Sequence, residues 1–399
     1  MALKRTYLDY NASAPLLPQA RAAVLAALDH DGNPSSVHAE GRHARGLVEA
    51  SRERVAELIS VRPAGVVFTS GATEANVTVL SKGWDTIFVA GIEHDSVLAP
   101  ARASGSQIID IPVHQSGVVD LSALASLIAT NARPPGRAVV AIQLANNETG
   151  AIQPVAEVAA LAHQHGLLCH TDAVQAVGRL PVDFGALGVD TMALSAHKLG
   201  GLKGVGALVI RDGVQLSALI TGGGQERRRR AGTENAAAIA SFGAAAGAAQ
   251  SALGDMGRIA ALRNALERGM LHITPKAVVF STDLDRLANT SCIGVPGRAA
   301  EILVIKLDLA GFAVSAGSAC SSGKVATSHV LAAMGIDPGI ARGAIRISLG
   351  PQTTAAEIDA FLAAWRDLHG AVPAQWQRSG DHYETSGRGP VAASARGDT

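Results

Sequence analysis

From about residue 64 to 210, short β-branched runs alternate with helix-like segments, and no other feature constrains the fold as strongly. The runs are VVFT (66–69), TIFVAG (86–91), QIIDIP (107–112), AVVAIQL (138–144), LLCHTD (167–172), TMALS (191–195) and VGALVIR (205–211). Helix-like stretches such as 121–132 and 154–165 lie between them. This alternation predicts an α/β domain with a buried, mainly parallel sheet. In such sheets ligand sites form beyond the carboxyl ends of strands, so the chemistry is sought there.

An Ala-rich helical zone follows, roughly 234–272, and then a second, smaller α/β region to about 370. Its last helix has a capping box at Thr354 and Glu357. An apolar stripe of Ile358, Phe361, Leu362, Trp365 and Leu368 recurs at helical spacing. Beyond Pro373 the composition turns polar and rich in Gly, Ser and Arg, which predicts a disordered tail.

Composition sets the class. Of 399 residues, 48% are hydrophobic and 17% charged, as in a core-rich globular protein. Lys plus Arg equals Asp plus Glu, at 34 each, so charge gives no argument for nucleic acid or an anionic membrane. No apolar run reaches the roughly 18 residues that span a bilayer, and MALKRTYLDYNASAP lacks the apolar stretch of a secretory signal. Three scattered cysteines make no disulfide framework. The expected compartment is the reducing cytoplasm, where the N-x-S/T triplets at Asn11, Asn76, Asn147 and Asn289 are chance matches. The run Arg227 to Arg230 reads as a solvated basic loop rather than a nucleic-acid patch.

Three motifs carry chemistry. In TSGATEAN (69–76) a strand ends, small residues turn, and a helix begins near Thr73, leaving N–H groups that suit a phosphate. In HTDAVQAVG (170–178), Asp172 ends a strand, as a plain cap or as a partner for a protonated ring nitrogen of a cofactor. His163, His165, Cys169 and His170 lie nearby, but on a helix and a strand at spacings unlike a closed metal site. In SAHKLGGLKGVG (195–206), Lys198 follows a strand among glycines, about 26 residues after Asp172. That order fits a Schiff-base lysine with its pyridinium partner; the rival Lys203 reads as part of the turn into the next strand. A phosphate cup, an acid and an imine-forming lysine together fit pyridoxal 5′-phosphate. Cys320, in VSAGSACSSG (314–323), sits among small residues unsuited to a core, whereas Cys169 and Cys292 lie in apolar, strand-like contexts and read as core thiols.

With YLDYNASAP, GNPSSVH, EHDSVL, NNETG, GGGQERRRRAGTEN, SHVLAAMG and IRISLG added, these motifs run in order from residue 7 to about 350. The chain resembles the cysteine desulfurases of the NifS/IscS type, in the class V aminotransferase group of fold type I pyridoxal-phosphate enzymes. The resemblance implies a large domain with a mainly parallel seven-stranded sheet flanked by helices, and a smaller C-terminal α/β domain. The expected division is an N-terminal segment 1–15 near the site, a cofactor domain 16–260, a small domain 261–373 carrying the cysteine loop, and the tail 374–399.

Residue roles follow from the same resemblance. Lys198 would hold the cofactor as a Schiff base, Asp172 would pair with the pyridine nitrogen, and Gln175 would bond the ring hydroxyl. His94 would stack on the ring and assist proton movement. Ala72, Thr73, Ser195 and His197 would bind the phosphate, and Thr233 would reach it from the other subunit of a homodimer. Asn147 and Arg346 would hold the substrate carboxylate, with Asn147 also touching the cofactor. Cys320 would take sulfur from L-cysteine as a persulfide, release L-alanine, and pass the sulfur to acceptors such as an iron–sulfur scaffold. No metal, membrane or direct nucleic-acid contact is implied. The alternatives are a selenocysteine lyase and a non-catalytic scaffold for sulfur-transfer partners. The sequence departs from the family pattern at Gly200 and Leu202, where an aromatic residue and a proline are common, which is expected to loosen the loop behind Lys198. It departs again at Tyr10, Ser13 and Ala14, at the mouth of the site.

Overall fold

The computed structural model describes residues 5–132, 136–317 and 328–369. Cys320 with its loop, and the tail beyond Pro373, lie outside the described residues. The chain opens with strand β1 (Thr6–Tyr7) and helices α1 (Pro18–Leu28) and α2 (Ala39–Leu58). The alternating region follows: β2 (Val66–Thr69), α3 (Ala72–Leu80), β3 (Thr86–Ala90), α4 (Asp95–Ala103), β4 (Gln107–Ile111), α5 (Leu121–Asn131), β5 (Ala138–Gln143), α6 (Val155–Gln164), β6 (Leu168–Asp172), α7 (Phe184–Leu187), β7 (Thr191–Ser195) and β8 (Gly206–Ile210). Next come α8 (Ala236–Ala252), α9 (Met256–Ile273), β9 (Val278–Val279), β10 (Thr290–Gly294), α10 (Ala300–Leu309), β11 (Phe312–Ala313), β12 (Ser315–Ala316), α11 (His329–Ala333), α12 (Pro338–Ala341), β13 (Ala344–Ser348) and α13 (Ala355–His369).

All seven expected runs are strands of one sheet, in the order β2-β8-β7-β6-β5-β3-β4. The pairs from β7 across to β4 are parallel, whereas β8 is antiparallel to both β2 and β7. Chain length explains the exception. A parallel return needs a crossover of a dozen or more residues, and residues 196–205 are too few. The Lys198 segment is therefore a hairpin-like loop at the carboxyl end of β7. Strands β2, β3, β5, β6, β7 and β8 are buried on both faces apart from isolated end residues, which is why they read as continuous apolar runs rather than alternating ones.

A second sheet, β12-β13-β10-β9, is antiparallel. It shares an apolar core with α9, α10 and α13, built on Leu266, Met270, Leu303, Leu307, Phe361 and Trp365. Leu8 joins that core, and β1 pairs with β11, so the N-terminal segment is stitched to the later part of the chain. The capping box forms: Thr354 N donates to Glu357 Oε2 (2.9 Å) and Glu357 N to Thr354 Oγ1 (3.3 Å).

The Ala-rich zone is two helices joined at residues 253–255. By length and composition, Ala236–Ile273 could cross a membrane, although it holds no long unbroken apolar run. Half of its most apolar window is buried inside the molecule, and α8 packs against α1 and α2, so this stretch serves as core helix.

Candidate active site

The carboxyl ends of the sheet converge on one cavity of about 440 Å³. Ala72, Thr73, His94, Asn147, Asp172, Gln175, Ser195, His197 and Lys198 all line it, from the ends of β2, β3, β5, β6 and β7 or the turns that follow them. At one rim α3 begins at Ala72, with Gly71 before it and no side chain capping its first N–H groups. Those donors and the hydroxyls of Thr73 and Ser195 form a set for an anion. Gly206 makes the rim possible: a Cβ there would lie 2.5 Å from Leu194 O and 2.7 Å from the Gly71 carbonyl carbon. His197 sits beside the rim with Nδ1 3.2 Å from Ser13 Oγ. Burial, helped by Lys198, Lys203 and Arg179, pushes its pKa down to about 4, so the ring is neutral at pH 7 and can serve only as a neutral donor.

Asp172 lies in the floor and is 8% exposed. Its Oδ1 accepts from Val174 N (3.0 Å) and its Oδ2 from Asn76 Nδ2 (2.8 Å). It thus caps the turn after β6 and also presents a carboxylate to the cavity. Lys198 Nζ donates to Asn11 O (2.5 Å) and Ala12 O (3.1 Å). In the loop behind it, both departures from the family pattern make contacts to neighbouring segments. Leu202 has the N–H that a proline would lack, and donates it to Ser241 Oγ (3.0 Å). Gly200, at φ +86°, accepts from Leu17 N (2.9 Å), and a Cβ there would meet Leu17 Cγ at 2.6 Å.

Gln175 is already engaged: its Nε2 donates to Asn11 O (3.1 Å), and Arg179 donates to its Oε1. Arg346 is 3% exposed and forms an ion pair with Asp9 (2.8 Å). Its Nη1 donates to Asn147 O (3.2 Å), which places the two expected carboxylate ligands side by side. Arg346 itself does not line the cavity, and among the described residues its Nε is buried without a hydrogen-bond partner. Thr233 does not line the cavity of its own chain and is exposed. Cys169 and Cys292 are fully buried, and burial pushes both thiols well above their usual range, as expected of core cysteines.

Several residues of the site escaped the sequence reading. Asn11, 1% exposed, holds Asn147 O, Thr290 Oγ1, Asn289, Gln175 and Lys198 together. Asp9 neutralises Arg346, and Asn76 reaches Asp172. Asn11 and Asn76 stand inside quoted motifs, yet the partners of their side chains are 20 to 279 residues away, so no local spacing points to them. Arg230 also departs from a plain solvated loop: it pairs with Glu74 (3.0 Å) on the first turn of α3.

Residues 6–361 match the family described as aminotransferase class-V. A cysteine desulfurase of Cereibacter sphaeroides is 44% identical over 372 residues, covering 90% of this chain and 94% of that one. The chain belongs to the cysteine desulfurases of the class-V aminotransferase family. An IscS-like cysteine desulfurase of Mycobacterium tuberculosis is 37% identical, covering 92% of this chain and 96% of its own length. Among solved structures, a NifS-like protein from Rickettsia africae superposes with a TM-score of 0.84 at 34% identity, over 92% of this desulfurase and all of that chain.

Proposed function

We propose that the protein uses pyridoxal 5′-phosphate to take sulfur from L-cysteine, forming L-alanine and a persulfide on Cys320. The observation that carries this reading is that an uncapped helix start, the Asp172 carboxylate and Lys198 line one cavity. The donor set fits the cofactor. The start of α3, Thr73, Ser195 and neutral His197 would take the phosphate, Asp172 the ring nitrogen, Gln175 the ring hydroxyl, and Lys198 the aldehyde carbon. When bound, pyridoxal phosphate supplies an electron sink next to the substrate's Cα.

The chain's own groups do the rest. Arg346 and Asn147 would hold the substrate carboxylate, with Asp9 fixing the guanidinium. Lys198 Nζ, as a neutral amine, would take the Cα proton and later give one back. The Cys320 thiolate then attacks the substrate sulfur. The carbon–sulfur bond would break with its electron pair left on the carbon side, which takes up a proton and leaves as L-alanine, while the sulfur stays on Cys320. Burial of Cys169 and Cys292 removes both from this role, because the thiolate is the nucleophile. Thr233 would complete the phosphate site of a second copy in a homodimer. The persulfide would pass to an acceptor protein such as an iron–sulfur scaffold, in the reducing cytoplasm.

Purified full-length protein should be yellow and should release L-alanine from L-cysteine. Lys198→Ala should abolish or shift the absorbance. Cys320→Ala should lose the persulfide detected under non-reducing conditions. Sulfide production by Cys320→Ala at the wild-type rate, with an external reductant present, overturns the role of Cys320. Comparing L-cysteine with L-selenocysteine, with alanine as the readout, separates a desulfurase from a selenocysteine lyase.

A further inference from the structure

Asn76 lies in the middle of α3 with no exposed surface, and its side-chain amide touches two other elements. Nδ2 donates to Asp172 Oδ2 on β6 (2.8 Å) and to Ser96 Oγ on α4 (2.9 Å). Oδ1 is 2.9 Å from His170 Nε2, and His170 Nδ1 is 2.8 Å from Thr191 Oγ1 on β7. At the other end, Ser96 Oγ is 2.9 Å from His94 Nδ1, and Ser96 N donates to that same nitrogen (3.1 Å). The six side chains form one connected network from β7 through β6 and α3 to the start of α4.

Only one proton arrangement satisfies all these contacts. An amide nitrogen only donates and an amide oxygen only accepts. Turning the Asn76 amide over would set its oxygen against the Asp172 carboxylate, with no proton between them. His170 therefore carries its proton on Nε2 and accepts from the Thr191 hydroxyl. Burial lowers the His170 pKa to about 4, in keeping with a ring that stays neutral. Ser96 N donates to His94 Nδ1, so that nitrogen carries no proton, and the Ser96 hydroxyl, which receives a hydrogen from Asn76, sends its own to the same nitrogen. That nitrogen accepts twice, which puts the His94 proton on Nε2. The charged and titratable groups that act on His94 are Asp172, Lys198, Asp95 and His329, and burial outweighs them all in lowering its pKa.

We propose that Asn76 is a positioning residue of this active site: its one amide couples Asp172 to His94, aiming the carboxylate Oδ2 and turning the Ser96 hydroxyl toward His94 Nδ1. The inference rests on the pyridoxal-phosphate reading only for what Asp172 and His94 do, not for the contacts themselves. The network gives His94 a defined starting state, a neutral ring whose proton sits on the nitrogen that Ser96 does not occupy. It also makes Asp172 and His94 respond together when Asn76 is lost.

The test uses full-length protein, with and without pyridoxal phosphate. Without cofactor, nitrogen NMR of His94 should show the Nε2–H form in wild type. In Asn76→Ala and in Ser96→Ala the His94 Nδ1 resonance should move, because its hydroxyl donor is released or removed while the Ser96 N–H stays. With cofactor, Asn76→Ala should bind roughly tenfold more weakly, the loss of about one hydrogen bond to a charged group, and its absorbance should titrate at a different pH. Ser96→Ala leaves the bond to Asp172 intact, so its cofactor affinity should change less than about twofold. Wild-type nitrogen shifts and cofactor titration in a folded Asn76→Ala overturn the proposal. If Asn76→Ala does not fold, unchanged His94 nitrogen shifts in Ser96→Ala overturn it instead. Failure of the wild-type protein to bind pyridoxal phosphate would count against the functional reading alone, since the nitrogen readout needs no cofactor.

Discussion

Glu148, in the NNETG motif, is 3% exposed, and its Oε2 accepts from Ser328 Oγ (2.6 Å). Burial raises its carboxyl from 4.5 to about 7, against the pull of Ser328 and Arg346. A carboxyl with a raised pKa keeps a proton in the folded state that the unfolded chain has released. Its contribution to stability is complete below pH 4.5 and is lost as the pH rises through about 7. Glu148→Gln can still accept from Ser328 and does not titrate. Urea unfolding across that range should show wild type losing stability relative to Glu148→Gln as the pH rises; parallel curves would contradict it. A second residue-scale prediction concerns Tyr10, one of the departures at the mouth of the site. Its buried ring occupies the space where a Cβ on Gly350 would stand, 1.9 Å from Tyr10 Cε1. Gly350→Ala should cost about 1–3 kcal/mol by overpacking, and adding Tyr10→Ala should recover part of the loss. Thermal melts of both variants test this. At this scale the sequence exposed Lys198 and Asp172, because strand ends in an α/β sheet are where ligands go. It hid Asp9, whose side chain faces an arginine 337 residues away and a serine 306 residues away.

The segment from Glu226 to Arg228 shows how an element can be held against its local preference. Three consecutive non-glycine residues have positive φ, at 43°, 56° and 64°. Left-handed backbone is costly for such residues and persists only where the surroundings enforce it. Here the anchor is the Glu226 side chain, 2% exposed. Arg52 donates to both of its oxygens (2.7 and 2.9 Å), and Phe68 N donates to one of them (2.9 Å). The Arg52 guanidinium also stacks over the Phe68 ring at 4.8 Å. Removing one partner of a buried ion pair typically costs about 3–5 kcal/mol, so Glu226→Gln should lose about 3 kcal/mol in chemical unfolding. The same change should disturb the following residues, including Thr233, seen as altered proteolysis near 227–233. Unchanged stability would mean that the anchor lies elsewhere. The arginine run was legible as charge, but its shape was not. What fixes it is a glutamate paired with an arginine 174 positions earlier.

At the scale of the molecule, the exposed Thr233 outside its own cavity is the feature that bears on assembly. If it completes the site of a second copy, subunits damaged in different places should rescue one another. Lys198→Ala and Thr233→Ala, mixed and refolded together, should form hybrids with one site that is damaged twice and one that is intact. Alanine release by the mixture should exceed the sum of the two variants alone, and its absence counts against a shared site. The sequence by itself determined the seven strands, the helices between them, the mainly parallel sheet and the line of strand ends where the cavity lies. Those follow from hydrophobic period and from glycine and capping signals, which act within a few residues and can be read in one dimension. Only the tertiary structure decided that Asn11 joins Lys198, Gln175 and Asn289, that Asp9 neutralises Arg346, and that Asn76 links Asp172 to His94. Each is a polar contact made in a nearly dry interior, where every donor must find an acceptor. Which one it finds depends on how distant segments meet, and no local pattern in the chain records that.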